Sequence, residues 1–436
     1  MYVKLGKNMR SVSIVGVGAT PFMDTVTPDT PENPNPNFKY NGITHGEMFG
    51  YAALAAMEDA GLEPRDVQYF FHGHAAHIFQ ASQTMNLQVA DWFGMRGKGS
   101  IAHSEGCCTG YIALEQAVFA VASGAYDCVL TGGAEMACGQ PDGNKPSPYR
   151  IPITLEAIFP DLDTIFDRCY GRYLGGAPGM NHDDWINYYA KQYGLSADVI
   201  DDVLCKLAYH ARRAAAINPL ALYTGSTFDD IAKKNGFDDV WEYMKSPYNP
   251  KMTQYLRVSS NAPSADGAAA CIVMPTEMAK DMKQTPIEVL GTGAGVLDAI
   301  VPHEEMKSTA KAAAEVYELT GLSGKDMDLL MVNDFILPSQ FLSAEEVGYI
   351  PRGEGWKYAL EGRLAYDGDR PVCSNGGRSC YGHAMGASGV ADVYEAVIQM
   401  RGQAGDHAVK KLPKHTMLRG FGGAQNVRCT ILRTVD

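Results

Sequence analysis

No CxxC pair occurs among the ten cysteines, and their spacing is irregular. No zinc site is therefore written into this chain. Beside 20 methionines, the cysteines read as reduced thiols of a cytoplasmic protein rather than as a disulfide framework. Positive charge is also scarce: 37 Lys and Arg stand against 50 Asp and Glu, a formal charge of -13 with no basic run to offset it. This excludes general binding to nucleic acid or to an anionic membrane, so an anionic ligand needs a local site. There is no apolar run long enough to span a bilayer. The start, MYVKLGKNMRSVSIVGVGATPF, puts three basic residues ahead of an apolar stretch. That stretch is short, β-branched and contains two glycines, so it predicts a first strand and not a signal peptide.

What remains is the composition of a soluble globular protein, 436 residues with 46% hydrophobic and 20% charged, enough for one large core or two domains. The chain repeats itself. AALAAMEDAGLEPRDVQYFFHG from Ala52 matches AAAEVYELTGLSGKDMDLLMVN from Ala312 at constant offset, pairing Gly61 with Gly321 and Asp66 with Asp326. CTGYIALEQAVFAVASGAYD likewise resembles GASGVADVYEAVIQMRGQAGD. Two α/β halves with one element order are predicted. Between them, from about 138 to 255, the rhythm gives way to a stretch rich in aromatics, Pro and Gly, read as an inserted loop domain that lines a binding site or serves as a lid or oligomerisation element.

Cys107, in SEGCCTGYIALEQAV, precedes an amphipathic helix. A thiol at a helix N-terminus faces unpaired N–H groups and the positive end of the dipole, which predicts a lowered pKa and a nucleophilic thiolate. Cys108 is read as packing.

Four further segments accompany it: NAPSADGAAA from Asn261, VNDF containing Asn333, GHAMGASG containing His383, and the terminal GFGGAQN. Together and in this order they resemble the thiolase superfamily, nearest to its sterol-carrier type, over almost the whole chain. The resemblance implies the thiolase fold, an α/β architecture of two duplicated βαβαβαββ halves in five layers (αβαβα). The N-terminal half, 1–285, carries the nucleophile and the insert; the C-terminal half, 286–436, carries the catalytic histidine. It further implies cleavage of a β-keto acyl-CoA by CoA through an acyl-cysteine intermediate, with CoA a substrate and no bound cofactor or metal. By resemblance Cys107 is the nucleophile and His383 its activating base. Asn333 fixes a water or directly completes with His383 an oxyanion hole for the thioester, while the N–H groups of Cys107 and Gly422 form a second. A homodimer core is implied, and so is a small zinc-ribbon and OB-fold partner subunit.

The family's second cysteine is missing: Gly420 and Phe335 occupy the two places where it occurs. The α-carbon proton must then be moved by His383, Cys380, Tyr381 or water. The long aromatic insert and this gap look most like thiolases of anaerobic aromatic degradation, which implies 2-benzoylsuccinyl-CoA as substrate, cleaved to benzoyl-CoA and succinyl-CoA. Phe159, Tyr170, Tyr173 and Trp185 are candidates for an aromatic pocket, and Arg168 or Arg172 for a carboxylate partner; packing of the insert is the competing reading. An aldolase or acyltransferase with a non-CoA acceptor, or a non-catalytic subunit, stays open as an alternative. His72, His74 and His77 in HGHAAH lack an acidic or cysteine neighbour and are not read as a metal site.

Overall fold

VSIVGVGA forms strand β1 (Val12–Ala19), buried almost throughout. The computed structural model describes residues 9–75, 84–138, 178–296, 307–422 and 426–435. Phe159, Arg168, Tyr170, Arg172 and Tyr173 lie outside the described residues. The remaining strands are β2 (Tyr69–Gly73), β3 (Gly99–His103), β4 (Val129–Met136), β5 (Asp266–Pro275), β6 (Ile287–Val296), β7 (Leu329–Val332), β8 (His415–Gly422) and β9 (Asn426–Thr434). The helices that matter for the site are α1 (His45–Ala60), α2 (Thr109–Ala122), α3 (Pro178–Tyr193), α4 (Ala197–Ile217), α5 (Lys307–Thr320), α6 (Ser339–Glu346), α7 (Gly377–Tyr381) and α8 (Met385–Met400).

The strands hydrogen-bond in the order β3-β2-β4-β5-β1-β6-β9-β8-β7. Read outward from the centre, β1-β5-β4-β2 and β6-β9-β8-β7 are the same arrangement twice. Each has two antiparallel pairings followed by a parallel one. Each also bulges at one place, Ile14/Gly16 in β1 and Val289/Gly291 in β6. The halves join where β1 pairs antiparallel with β6 over Val12, Ser13 and Ile14. β3 has no full counterpart; at that place Val372 makes only an isolated bridge to Leu330.

The repeat extends to atomic detail. A methyl on Gly16 would come within 2.2 Å of the Ala56 carbonyl oxygen, and one on Gly293 within 2.2 Å of the Ala312 oxygen. Glycine at these positions lets α1 and α5 lie directly on their strands. Both helices exit through a left-handed glycine, Gly61 and Gly321, each with φ 74°. Beyond them, Asp66 and Asp326 each accept a backbone N–H at 2.8 Å, from Glu63 and Ser323.

Helices α2 and α8 pack together between the halves. Their close approach depends on small residues, since a methyl on Gly110 would meet the Val390 nitrogen at 2.8 Å, and α8 lies as closely on β4, where a methyl on Gly133 would meet the Gly386 oxygen at 2.2 Å. From the other side of α2, Glu115 accepts from Arg428 of β9 at 3.0 Å. The layers are therefore α1, the strands β1–β5, the pair α2 and α8, the strands β6–β9, and α5. GTGAGV at Gly291 is part of strand β6, not a phosphate loop.

Between β4 and β5 the chain leaves the sheet, and α3 and α4 lie over α6 and α7. Tyr189 of α3 donates to Glu345 of α6 at 2.6 Å. Arg257 clamps Asp201 of α4 with two bonds of 2.7 and 2.8 Å, a buried bidentate pair that fixes α4. Among the described residues no helix is long and apolar enough to cross a membrane.

Candidate active site

α2 begins at Thr109, so Cys107 stands in the turn before it and not in its first helical position. Thr109 shapes that turn: its hydroxyl donates to the Gly106 carbonyl at 2.7 Å and accepts from the Glu105 N–H at 2.8 Å. The left-handed φ of 55° at Gly106 completes the reversal, a conformation that glycine adopts without strain. The turn points the Cys107 thiol to the opposite half, where Nε2 of His383 lies 3.2 Å from Sγ.

His383 sits between α7 and α8. Its N–H donates to the Pro263 carbonyl at 2.9 Å, which ties the NAPSADGAAA segment to the histidine. On the other ring edge, Nδ1 lies 3.1 Å from the hydroxyl of Ser388. Phe335 stacks on the imidazole with ring centres 6.3 Å apart.

Burial governs the titration of both groups. It pushes the Cys107 thiol up to about 11, partly opposed by the Arg378 cation. It holds His383 down at about 3, and Arg378 lowers it further. The direction is opposite to that expected from the helix terminus, because desolvation of the anion outweighs the lowering by Arg378 and by the Cys107 N–H. The resting pair is a neutral thiol hydrogen-bonded to a neutral imidazole.

Asn333 is fully buried beside the pair. Its amide nitrogen donates to the Phe421 carbonyl at 2.5 Å and lies 3.5 Å from the Cys107 carbonyl. The amide nitrogen thus bridges β8 and the nucleophile turn. Gly422 ends β8 against the same turn: a methyl there would come within 2.7 Å of the Cys108 nitrogen and of the Glu105 carbonyl. A methyl on Gly420 would fall 2.4 Å from the Tyr111 ring. Tyr111 thus fills the space that a cysteine at 420 would need.

A buried ionic network underlies these groups, and sequence reasoning missed it. Arg378 of α7 pairs with Asp392 of α8 at 2.8 Å and donates to the Tyr111 hydroxyl at 3.1 Å. Tyr111 in turn donates to Asp392. The Arg378 N–H binds Asp334 at 2.7 Å. The available signal was an arginine set in the small-residue run SNGGRSCYGH, a poor place for an exposed charge.

The other expected residues fall into two groups. Cys380 is buried on α7, its thiol pushed up to about 11 by burial, with Arg212 of α4 as its principal charged neighbour. Tyr381 packs on Phe22 at 4.7 Å. Trp185 does reach the site wall. Together with His182, also from α3, it makes edge contacts with Phe421, and His182 meets Phe335 at 5.0 Å. His182 was not anticipated from the sequence.

His72 and His74 of HGHAAH are buried, while His77 lies outside the described residues. His72 binds His45 of α1 through their Nε2 atoms at 2.9 Å, and the His72 and His74 rings stack at 6.2 Å. Among the described residues no group of three or more His, Cys, Asp or Glu could hold a metal ion. Burial holds His45 down at about 3 and His72 well below its ordinary value. Both stay neutral in the fold while the unfolded chain takes up protons below about pH 6.5, so their stabilisation is full above that pH and is lost as pH falls. Each then removes up to about 1.4 kcal/mol per pH unit. Urea midpoints at pH 7.5 and 5.5 check this: His45→Gln should narrow the difference, and an unchanged difference would exclude the pair as its source.

The family described as "Thiolase C-terminal domain-like" matches residues 301–434. An acetyl-CoA acetyltransferase of Methanothermobacter thermautotrophicus is 26% identical, covering 92% of this chain and 94% of its own. A benzoylsuccinyl-CoA thiolase subunit of Thauera aromatica is also 26% identical, over 87% and 90%. Human sterol carrier protein 2 is 25% identical, over 95% of this chain and 71% of its own. Among solved structures, a chain of the Ltp2-ChsH2(DUF35) aldolase superposes with a TM-score of 0.73 at 20% identity, covering 97% of this chain and 98% of that one. Residues 301–434 thus match a thiolase C-terminal domain, and over nearly its whole length the chain is similar to proteins of the thiolase superfamily.

Proposed function

We propose that this protein is an acyl-CoA C-acyltransferase of the thiolase type, and the observation that carries the reading is the 3.2 Å contact between Cys107 Sγ and His383 Nε2. Sγ attacks the ketone carbon of a β-keto acyl-CoA as its proton passes to Nε2. The bond between that carbon and the α-carbon breaks, its electron pair leaves on the departing acyl-CoA as an enolate, and the acyl group stays on Cys107. CoA then takes the acyl group and Sγ leaves as the thiol. The Gly422 and Cys107 N–H groups are our candidates for holding the oxyanion.

The missing second cysteine is covered by His383 itself. An imidazole whose pKa is held down at about 3 becomes a strong acid once it carries the thiol proton, and it delivers that proton to the enolate carbon. Cys380 and Tyr381 suit the task less well, being buried and packed against α4 and Phe22.

For the acyl group we propose an aromatic β-keto acyl-CoA, with 2-benzoylsuccinyl-CoA as the candidate. Two things support it: the edge-to-face wall of His182, Trp185, Phe335 and Phe421, and the relative from Thauera aromatica. A dimeric core with a small partner subunit belongs to the same proposal, supported by a structural neighbour named for two components. That neighbour is called an aldolase, which keeps retro-aldol cleavage on this fold as the second reading.

Intact-mass spectrometry with peptide mapping tests the reading, after mixing with benzoyl-CoA, succinyl-CoA and acetyl-CoA, each with and without a co-purified small partner. We expect an acyl adduct on Cys107, heaviest with the acyl group that the site accepts. No adduct under any condition would transfer the weight to the aldolase.

A further inference from the structure

Ser388 stands one turn into α8 and is 2% exposed, so water does not complete its hydrogen bonding. Its hydroxyl has two partners: the Ala384 carbonyl at 3.1 Å, which can only accept, and His383 Nδ1 at 3.1 Å. A hydroxyl has one hydrogen. If it goes to Ala384, the ring must donate from Nδ1, and Nε2 is then the bare nitrogen facing the Cys107 thiol at 3.2 Å. Every donor in that chain has an acceptor: thiol to Nε2, Nδ1–H to Ser388, Ser388 to Ala384. The reverse order sends the Ser388 hydrogen to Nδ1, aims Nε2–H at sulfur, a weak acceptor, and leaves the thiol hydrogen without one.

We propose that Ser388 is a positioning residue that locks His383 as the Nδ1–H tautomer, so that the nitrogen facing Cys107 is always the base. The proposal deepens the acyl-cysteine reading above and rests on it for its purpose, though the tautomer itself exists without substrate. As Nε2 takes the thiol proton, the Nδ1–H bond to Ser388 strengthens because its donor becomes cationic. The helix does the placing: Ser388 is four residues beyond Ala384, the distance at which a side chain returns to the preceding carbonyl.

Two measurements test it on the full chain. Nitrogen-15 NMR of histidine-labelled protein, with His383 identified by its loss in His383→Gln, should show Nδ1 protonated and Nε2 bare at neutral pH. Alkylation of Cys107 by iodoacetamide should slow about tenfold in Ser388→Ala, the scale of one lost hydrogen bond, and recover in Ser388→Thr, which keeps the hydroxyl. An Nε2–H tautomer in the parent protein, or parent-rate alkylation in Ser388→Ala, overturns the proposal. If Ser388→Ala does not fold, the tautomer measurement on the parent decides alone. Acylation of the parent by acyl-CoA is scored separately, so a failed tautomer assignment and a failed thiolase reading give different results.

Discussion

Cys107→Ser is expected to fold as the parent does and to form no acyl adduct, with turnover down about 10³-fold or more. The exchange keeps the shape and a hydrogen bond toward His383. It replaces a polarisable sulfur with an alcohol oxygen whose proton is far harder to remove, and the site offers little to compensate. His383 is a weak base at a pKa of about 3, and the nearest influential cation, Arg378, is already occupied by Asp392. The thiol itself, at about 11, has to be deprotonated in concert with attack. Stability should stay within about 0.5 kcal/mol of the parent, because the exchange is nearly isosteric and Cys107 is not part of the packed core. Thermal unfolding and intact mass together check this, and a serine chain that still turned over acyl-CoA would remove Cys107 from the nucleophile's role.

Asp392→Ala is expected to have the largest effect on stability, a loss of about 3–5 kcal/mol, because it strands the buried Arg378 guanidinium without its counter-charge. Tyr111 loses its acceptor at the same time. Since Arg378 and Asp392 belong to the C-terminal half and Tyr111 to the nucleophile helix, the change loosens the contact between α2 and α8 that brings Cys107 to His383. Arg378→Met combined with Asp392→Ala should be less damaging than the single change, as the guanidinium is no longer stranded. Urea unfolding of the three variants measures this coupling. A single-variant loss below about 1 kcal/mol would mean that water or another group already shields Arg378.

The parts of this molecule legible in its sequence are the local ones that occur twice. Gly61 and Gly321 could be matched because a left-handed helix exit demands glycine, and Asp66 and Asp326 because each caps a turn three residues away. The pairing of Cys107 with His383 was readable only through resemblance, since 276 positions separate them. The acidity of the thiol was misjudged: a helix start is visible in a sequence, whereas the depth at which the turn before it is buried depends on β8 and α8. The same holds for Asn333. Its amide suits an oxyanion hole chemically, and only the position of the Phe421 carbonyl shows that its nitrogen also bridges to β8. Tyr111 gives a physical reason for an absence already noted, because its ring takes the volume at 420. The His45–His72 pair and the Arg378 network join residues that no periodicity links.

The central place of β1 also sets the order of events as the chain is made. VSIVGVGA leaves the ribosome well ahead of both of its neighbours, β5 and β6, which are encoded far downstream. They emerge roughly 250 residues later, a delay of roughly 10–50 s at ordinary rates of synthesis. Throughout that interval the nascent chain displays an apolar strand with both edges unsatisfied, a ready template for aberrant pairing. The expected result is that soluble yield of the parent chain changes with translation speed and with added chaperone, measured as soluble against total protein; a yield indifferent to both would mean that the strand is covered by other segments meanwhile.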